Sequence, residues 1–199
     1  MANRFIPIKV LFFFGICFFS LVSCQTKLLA PIYPELTFQH LKPLKLDVAN
    51  LVITNAYKSP LKAPHVEHLL PVLPYKVLRQ WADDRVHPGG KNNIARFTII
   101  EASVIEILLE KKTGVVGFFT KDQSERYDAV LEAKLEIIDD EGVQMGFASA
   151  RVFRSVTVRE DFSINEREQI WFSLIEQLLT DINIELENKI TQHLSQWLY

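Results

Sequence analysis

Alternating apolar and polar residues predict three long β-strands in the second half of the chain. In the clearest one, residues 125–139, every second residue from Tyr127 to Ile137 is apolar, and most residues between them are charged. Strict alternation of this kind is typical of an antiparallel sheet with one buried and one solvated face. Similar candidates cover residues 94–109 and 143–158, and a DDEG sequence predicts a tight turn between the last two strands.

Two other segments repeat apolar residues at helical spacing. The first covers residues 69–86, with Pro74 in a position suited to a first helical turn. The second covers residues 166–198 and follows Asn165, which together with Glu168 has the spacing of a capping box. At 1.5 Å per residue, this helix would be roughly 45–50 Å long, which is enough to cover long strands.

The long helix carries one apolar stripe that we expect to face the sheet. Its members are Trp171, Leu174, Ile175, Leu178, Ile182, Leu186, Ile190, Leu194 and Trp197. Phe172, Leu179 and Ile184 lie off this stripe, where they either widen the core face or form a second, partner-facing patch. We expect the core role for them.

One more strand is predicted at residues 45–57, where the apolar positions change phase. The change of phase indicates a bulge near Ala49 and Asn50. The element order is therefore strand, helix, three strands, helix. It predicts an α+β fold in which a four-stranded, largely antiparallel sheet packs on two helices.

The N-terminus has the composition of a secretion signal. Arg4 and Lys9 precede an apolar run at residues 10–22 that contains no charge. About 18 or more apolar residues are needed to span a bilayer, and this run is shorter. A cleaved signal is therefore favoured over a transmembrane segment.

The sequence LVSC at residues 21–24 resembles the lipobox of bacterial lipoproteins. That resemblance implies cleavage before Cys24, a diacylglycerol on its thiol and a fatty acid such as palmitate on its amine. Two or three chains would make attachment stable, because each buried methylene contributes about 0.8 kcal/mol. An ordinary signal peptide, or a short buried apolar segment, is the alternative.

These features divide the chain into a signal peptide (1–23), an extended, proline-spaced tether (24–43) and a single α+β domain (44–199). Cleavage would leave Cys24 as the only cysteine, so the mature chain could form no intramolecular disulfide. It would also change the formal charge from 22 − 24 = −2 to 20 − 24 = −4, which argues against a nucleic-acid partner.

The sequence offers little conventional site chemistry. HVEH, residues 65–68, holds two imidazoles and a carboxylate, but the spacing differs from the helical HExxH metal motif. The serines show no GxSxG elbow, and the glycines do not form a P-loop. We therefore expect no catalytic residue, no metal ligand and no cofactor.

A long connection at residues 110–125 is the most suggestive stretch. Long loops in compact domains are more often functional than decorative. This one presents Val115, Val116, Phe118 and Phe119 beside lysines, a combination typical of a partner or membrane contact. Alternatively, the loop folds back and buries both phenylalanines in the core.

The element order after a lipobox resembles small periplasmic lipoproteins of envelope transport. These are the lipopolysaccharide-assembly lipoprotein that plugs its outer-membrane barrel and the auxiliary lipoproteins of lipid-transporting ABC systems. The resemblance implies a non-enzymatic accessory that binds an envelope membrane protein. Gln25 replaces the aspartate of inner-membrane retention, which favours the periplasmic face of the outer membrane over that of the inner membrane. A lipid carrier with an apolar cavity, or an enzyme with an unrecognised site, are the alternatives.

Overall fold

The computed structural model describes residues 32–110 and 123–199 and confirms the predicted α+β class. The elements are β1 (Leu44–Leu46), β2 (Asn50–Asn55), α1 (Pro74–Arg85), β3 (Val86–Pro88), β4 (Ile94–Leu108), β5 (Gln123–Ile138), β6 (Gln144–Arg159) and α2 (Ile164–His193). Two 3-10 turns, Glu67–Leu69 and Ser195–Trp197, complete the described secondary structure.

Four strands form the main sheet in the order β2, β4, β5, β6. β2 runs parallel to β4, whereas β4, β5 and β6 are antiparallel neighbours. The three long strands begin and end within two residues of the predicted bounds. Their length comes from nearly unbroken alternation, which keeps one face apolar along the whole strand.

The core lies between one face of this sheet and the two helices. All the inward-facing residues of β5 from Tyr127 to Ile137 are fully buried. From α2 they meet the predicted stripe, including Leu178 and Ile182. α1 adds Trp81, whose ring lies 5.5 Å from the ring of Phe97 on β4.

The predicted first strand is two strands in two sheets. β1 pairs in parallel with β3 in a separate two-stranded sheet, and β2 joins the main sheet. The expected bulge near Ala49 and Asn50 is therefore wrong: the phase changes because the chain leaves one sheet and enters the other. The backbone N–H of Ala49 donates to the carbonyl oxygen of Asn92 at 2.9 Å across this junction.

The long helix begins two residues earlier than predicted. Its N-cap is Ser163, whose hydroxyl accepts from the N–H of Glu166 at 3.3 Å, and the Glu166 carboxylate accepts from the N–H of Ser163 at 2.8 Å. The capping box is thus Ser163 with Glu166, and the predicted pairing of Asn165 with Glu168 is wrong. The off-stripe residues differ among themselves: Leu179 is buried, Phe172 is half-buried and Ile184 is exposed.

Residues 32–43 lie in the same compact unit as the domain. The backbone N–H of Phe38 donates to Asp84 on α1 at 2.8 Å, and the Phe38 side chain is buried. Tyr33 stacks on Phe172 of α2 at 5.0 Å between ring centroids. Within residues 32–110 and 123–199, no helix has the length and apolar character needed to cross a membrane.

Candidate partner-binding and membrane-side surfaces

The second face of the main sheet carries no helix and presents a group of exposed apolar side chains at one end. We call this group the distal patch. Its members are Val52, Ile94, Met145 and Phe147. They come from β2, β4 and β6, so three separate stretches of sequence contribute to one surface.

Strand register explains why these residues meet. Val52 pairs with Arg96, Arg96 pairs with Glu136 and Glu136 pairs with Phe147, so one row crosses all four strands. In the next row, Ile94 pairs with Ile138. Phe147 is 49% exposed, although an aromatic side chain normally gains by burial.

Ile138 and Met145 extend the apolar character of this end. Ile138 is buried but lies outside the main core cluster. Met145 occupies the register irregularity between Ile137 and Ile138, where β6 has one extra residue. Such a bulge re-aims the strand, here at the edge of the sheet and two residues before Phe147.

Most of the remaining open face is polar and internally paired, although Phe153, midway along β6, is 58% exposed. Arg151 donates to Glu101 at 2.8 Å and to Glu132 at 3.1 Å, and Arg126 donates to Asp128 at 3.0 and 3.1 Å. Exposed ion pairs of this kind contribute little to stability. They satisfy the charges of this part of the face, whereas Arg96, in the row between Val52 and Glu136, is exposed.

Lys134 connects the charged and apolar parts of the face. Its ammonium group pairs with Glu136 at 2.8 Å and lies 5.9 Å from the ring centroid of Phe147. The cation therefore sits over the aromatic face at the outer limit of a cation–π contact. A partner that covers Phe147 would also cover this charge.

The opposite end of the sheet contains a polar cluster around Tyr127. Its hydroxyl lies 2.8 Å from Glu106 Oε1 and 2.6 Å from Glu125 Oε2, and Arg167 of α2 donates to both Tyr127 and Glu125. The Tyr127 ring packs edge-on against Trp171 at 5.4 Å. Burial, and then hydrogen bonding to Glu125 and Glu106, raises the pKa of the Tyr127 hydroxyl above its ordinary value.

The segment that leads towards Cys24 joins the domain at this same end. Tyr33 stacks on Phe172, and its hydroxyl lies 3.5 Å from Glu168. In the sequence, Phe172 follows Trp171 and Glu168 follows Arg167, and both Trp171 and Arg167 contact Tyr127. We call this region, from Ile32 through the end of β4 to the first two turns of α2, the anchor-side end. Residues 94–108 separate it from the distal patch by about 45 Å at the rise of a β-strand.

Glu67 of the HVEH segment is buried and hydrogen-bonded within the domain. Glu67 is 3% exposed; its carboxylate accepts from the Tyr57 hydroxyl at 2.6 Å and from the Val104 N–H at 3.3 Å. Burial alone would raise the pKa of Glu67, but the hydrogen bonds from Ser59, Tyr57 and the backbone bring that pKa below its ordinary value. The described residues contain no group of three His, Cys, Asp or Glu side chains placed to hold a metal.

The site residues chosen from sequence lie outside the described residues. They are Cys24, Val115, Val116, Phe118 and Phe119. The strands that lead to the last four remain paired as far as a 2.9 Å hydrogen bond from the Leu109 N–H to the Ser124 carbonyl. The described part of the hairpin therefore ends at the anchor-side end, and the contact role of its tip stays a prediction.

Sequence reasoning missed the distal patch. Phe147 and Met145 are apolar residues at positions where the alternation of β6 predicts solvent-facing side chains. Such out-of-phase apolar residues are the signal that would have found it. However, the alternation within one strand does not reveal the order of the strands, and that order is needed to place these residues near Val52 and Ile94.

Grooves beside α2 are open to solvent. One of about 540 Å³ runs between residues 34–41 and the middle of α2, lined in part by Leu36, Phe38 and Leu179. Another of about 470 Å³ lies between the edge of β6 and the first half of α2, lined in part by Val156 and Ile170. Both have mixed polar and apolar linings.

The sequence matches no family model and no curated protein. Among solved structures, it is similar to a minor lipoprotein from Acinetobacter baumannii, with 14% identity, 71% of this chain and 92% of that chain covered, and a TM-score of 0.37. It is similar to rare lipoprotein B from Shewanella oneidensis, with 10% identity, 72% and 95% covered, and a TM-score of 0.36. A protein from Xanthomonas campestris gives 11% identity, 82% and 93% covered, and a TM-score of 0.34. TM-scores of this size do not establish a shared fold, and the function below is inferred from this chain's own residues.

Proposed function

We propose that this protein is a lipoprotein anchored by acylated Cys24 at the periplasmic face of the outer membrane. Its domain acts as a non-enzymatic binding or assembly accessory of an envelope complex that transports lipid or lipopolysaccharide. The partner is a membrane protein of that complex, which docks on the distal patch.

One observation carries the proposal: the distal patch and the anchor-side end lie at opposite ends of the domain. The two ends are about 45 Å apart along β4 at the rise of a β-strand. The helix α2 runs for 30 residues. At the rise of an α-helix it spans the same distance, so it braces the sheet. An anchored domain of this shape presents the distal patch well away from the membrane surface, where part of a partner can reach it.

The chemistry of the distal patch favours a protein partner. The distal patch combines exposed apolar side chains with the charges of Arg96, Glu136 and Lys134 beside them, and such a mixture suits a protein interface. The neighbouring ion pairs among Arg151, Glu101 and Glu132 would stay formed when a partner binds.

The test is capture of the acylated protein from native envelopes after brief crosslinking, followed by mass spectrometry. We expect a stoichiometric membrane protein with the wild type, and its loss with the double variant Met145→Ser and Phe147→Ser. Ile184→Ser is a matched control, because it also replaces an exposed apolar residue but lies on α2, away from the distal patch.

Other outcomes point elsewhere. Recovery of lipid without protein would contradict the accessory role and favour a lipid carrier. Equal capture with the double variant would remove the distal patch as the docking site. The anchor has a separate test: Cys24→Ala should abolish fatty-acid incorporation and signal cleavage, and continued labelling of that variant would contradict acylation.

A further inference from the structure

The anchor-side end carries the three most exposed large apolar side chains among the described residues. Ile32 is 98% exposed, Leu108 is 78% exposed and Ile164 is 75% exposed. Single exposed apolar residues are common and need no explanation. Three such residues at one end of a domain about 45 Å long do require an explanation.

Contacts through the first turns of α2 place these residues together. Leu108 pairs with Glu125, and the Glu125 carboxylate accepts from Arg167. Ile164 lies one helical turn before Arg167, on the same side of α2. Leu108 and Ile164 therefore stand on either side of one ion pair.

The same helix turns hold the start of the described chain. Tyr33 contacts Glu168 and Phe172, and Ile32 precedes it. From Ile32 the sequence leads back to Cys24 over eight residues. A stretch of that length spans at most about 29 Å even when fully extended. An acylated Cys24 would thus keep this end of the domain close to the bilayer.

We infer that the anchor-side end rests on the lipid surface, with Leu108, Ile164 and Ile32 inserted at the boundary between headgroups and acyl chains. This inference rests on the proposed acylation of Cys24. Insertion removes the exposed apolar side chains from water, and the nearby polar cluster of Tyr127, Glu125 and Arg167 stays at headgroup level. The anchor and the surface contact together would hold the domain upright, with the distal patch pointing away from the membrane.

The test uses the full acylated chain in vesicles of phosphatidylethanolamine and phosphatidylglycerol. Single cysteines replace Leu108, Ile164 or Ile184 and are labelled with a fluorophore that brominated lipids quench. Ile184 is the matched control because it is an exposed isoleucine of the same helix. It lies about 30 Å further along the helix axis than Ile164. Since acylation blocks Cys24, the wild type should take up no label.

We expect a blue shift and a strong loss of fluorescence in brominated vesicles for the labels at positions 108 and 164, and neither change at position 184. Equal quenching at all three positions, or at none, in protein that floats with the vesicles would overturn the inference and leave the anchor intact. If the wild type takes up label and fails to float, the proposed anchor itself is wrong, and the inference falls with it.

Discussion

Replacing Tyr57 with phenylalanine removes one hydroxyl from a buried charged hydrogen bond. That hydroxyl donates to Glu67 Oε1 at 2.6 Å, and the Glu67 side chain is only 4% exposed, so water does not readily replace the lost donor. Hydrogen bonds to charged groups contribute about 1.5–3 kcal/mol. We therefore expect Tyr57→Phe to lower the free energy of unfolding by about 1.5–3 kcal/mol.

For a domain of this size, each kcal/mol corresponds to roughly 2–4 °C, so the melting temperature should fall by about 3–12 °C. Urea unfolding followed by tryptophan fluorescence measures the change. Tyr199→Phe is the control, because Tyr199 is largely exposed. Loss of its hydroxyl should change the free energy of unfolding by no more than about 0.5 kcal/mol. If Tyr57→Phe also stayed within that range, Glu67 would not be held as the structure shows.

The same carboxylate predicts a pH dependence. Hydrogen bonds lower the pKa of Glu67 in the folded state, so the unfolded state binds more protons in acid and stability rises with pH there. The contribution is complete above the unfolded pKa of about 4.3 and is lost as pH falls through the lowered folded pKa. In Glu67→Gln, the dependence of unfolding free energy on pH below about 4 should be shallower than in the wild type; an unchanged dependence would contradict this assignment.

Three further changes have defined outcomes. Ser163→Ala removes the N-cap of α2 and should cost about 1 kcal/mol in urea unfolding; an unchanged midpoint would contradict the capping role. At Gly146, even a Cβ would lie 2.8 Å from Trp197 Cζ3. Gly146→Val should therefore cost about 1–3 kcal/mol, and retention of full stability would mean that this ring moves freely. Replacing Phe118 and Phe119 with serine should weaken the partner or membrane contact predicted for this loop, measured by capture and by vesicle binding, with little change in melting temperature; a large drop would assign both rings to the core.

The parts of the fold that the sequence predicted are those that depend on a local period. β5 could be placed because its alternation is strict and every inward-facing residue is buried. Most of the α2 stripe could be placed because the helical period holds from Leu174 to Ile190. In both elements one buried face determines the pattern, so the local sequence contains the information needed to place them.

The errors occurred where a local pattern had two solutions. A change of phase near Ala49 and Asn50 fits a bulge and also fits a switch between sheets, and only the pairing of β1 with β3 decides between them. Likewise, Ser163 with Glu166 and Asn165 with Glu168 share the spacing of a capping box. The position of Phe162, packed against the core just before Ser163, favours the earlier start, and that contact is tertiary.

The candidate surfaces were harder to predict because they depend on which strands are neighbours. Phe147 and Val52 lie far apart in sequence and come to one row only through β4 and β5. A sheet that packs helices on one face needs only polar residues on the other, so folding alone does not require Phe147 or Met145 to be apolar. Both residues add exposed apolar surface at an edge strand, where such residues promote unwanted association. Partner binding at the distal patch, as proposed above, would account for Phe147 and Met145 being apolar at an end of β6 about 45 Å from the anchor-side end.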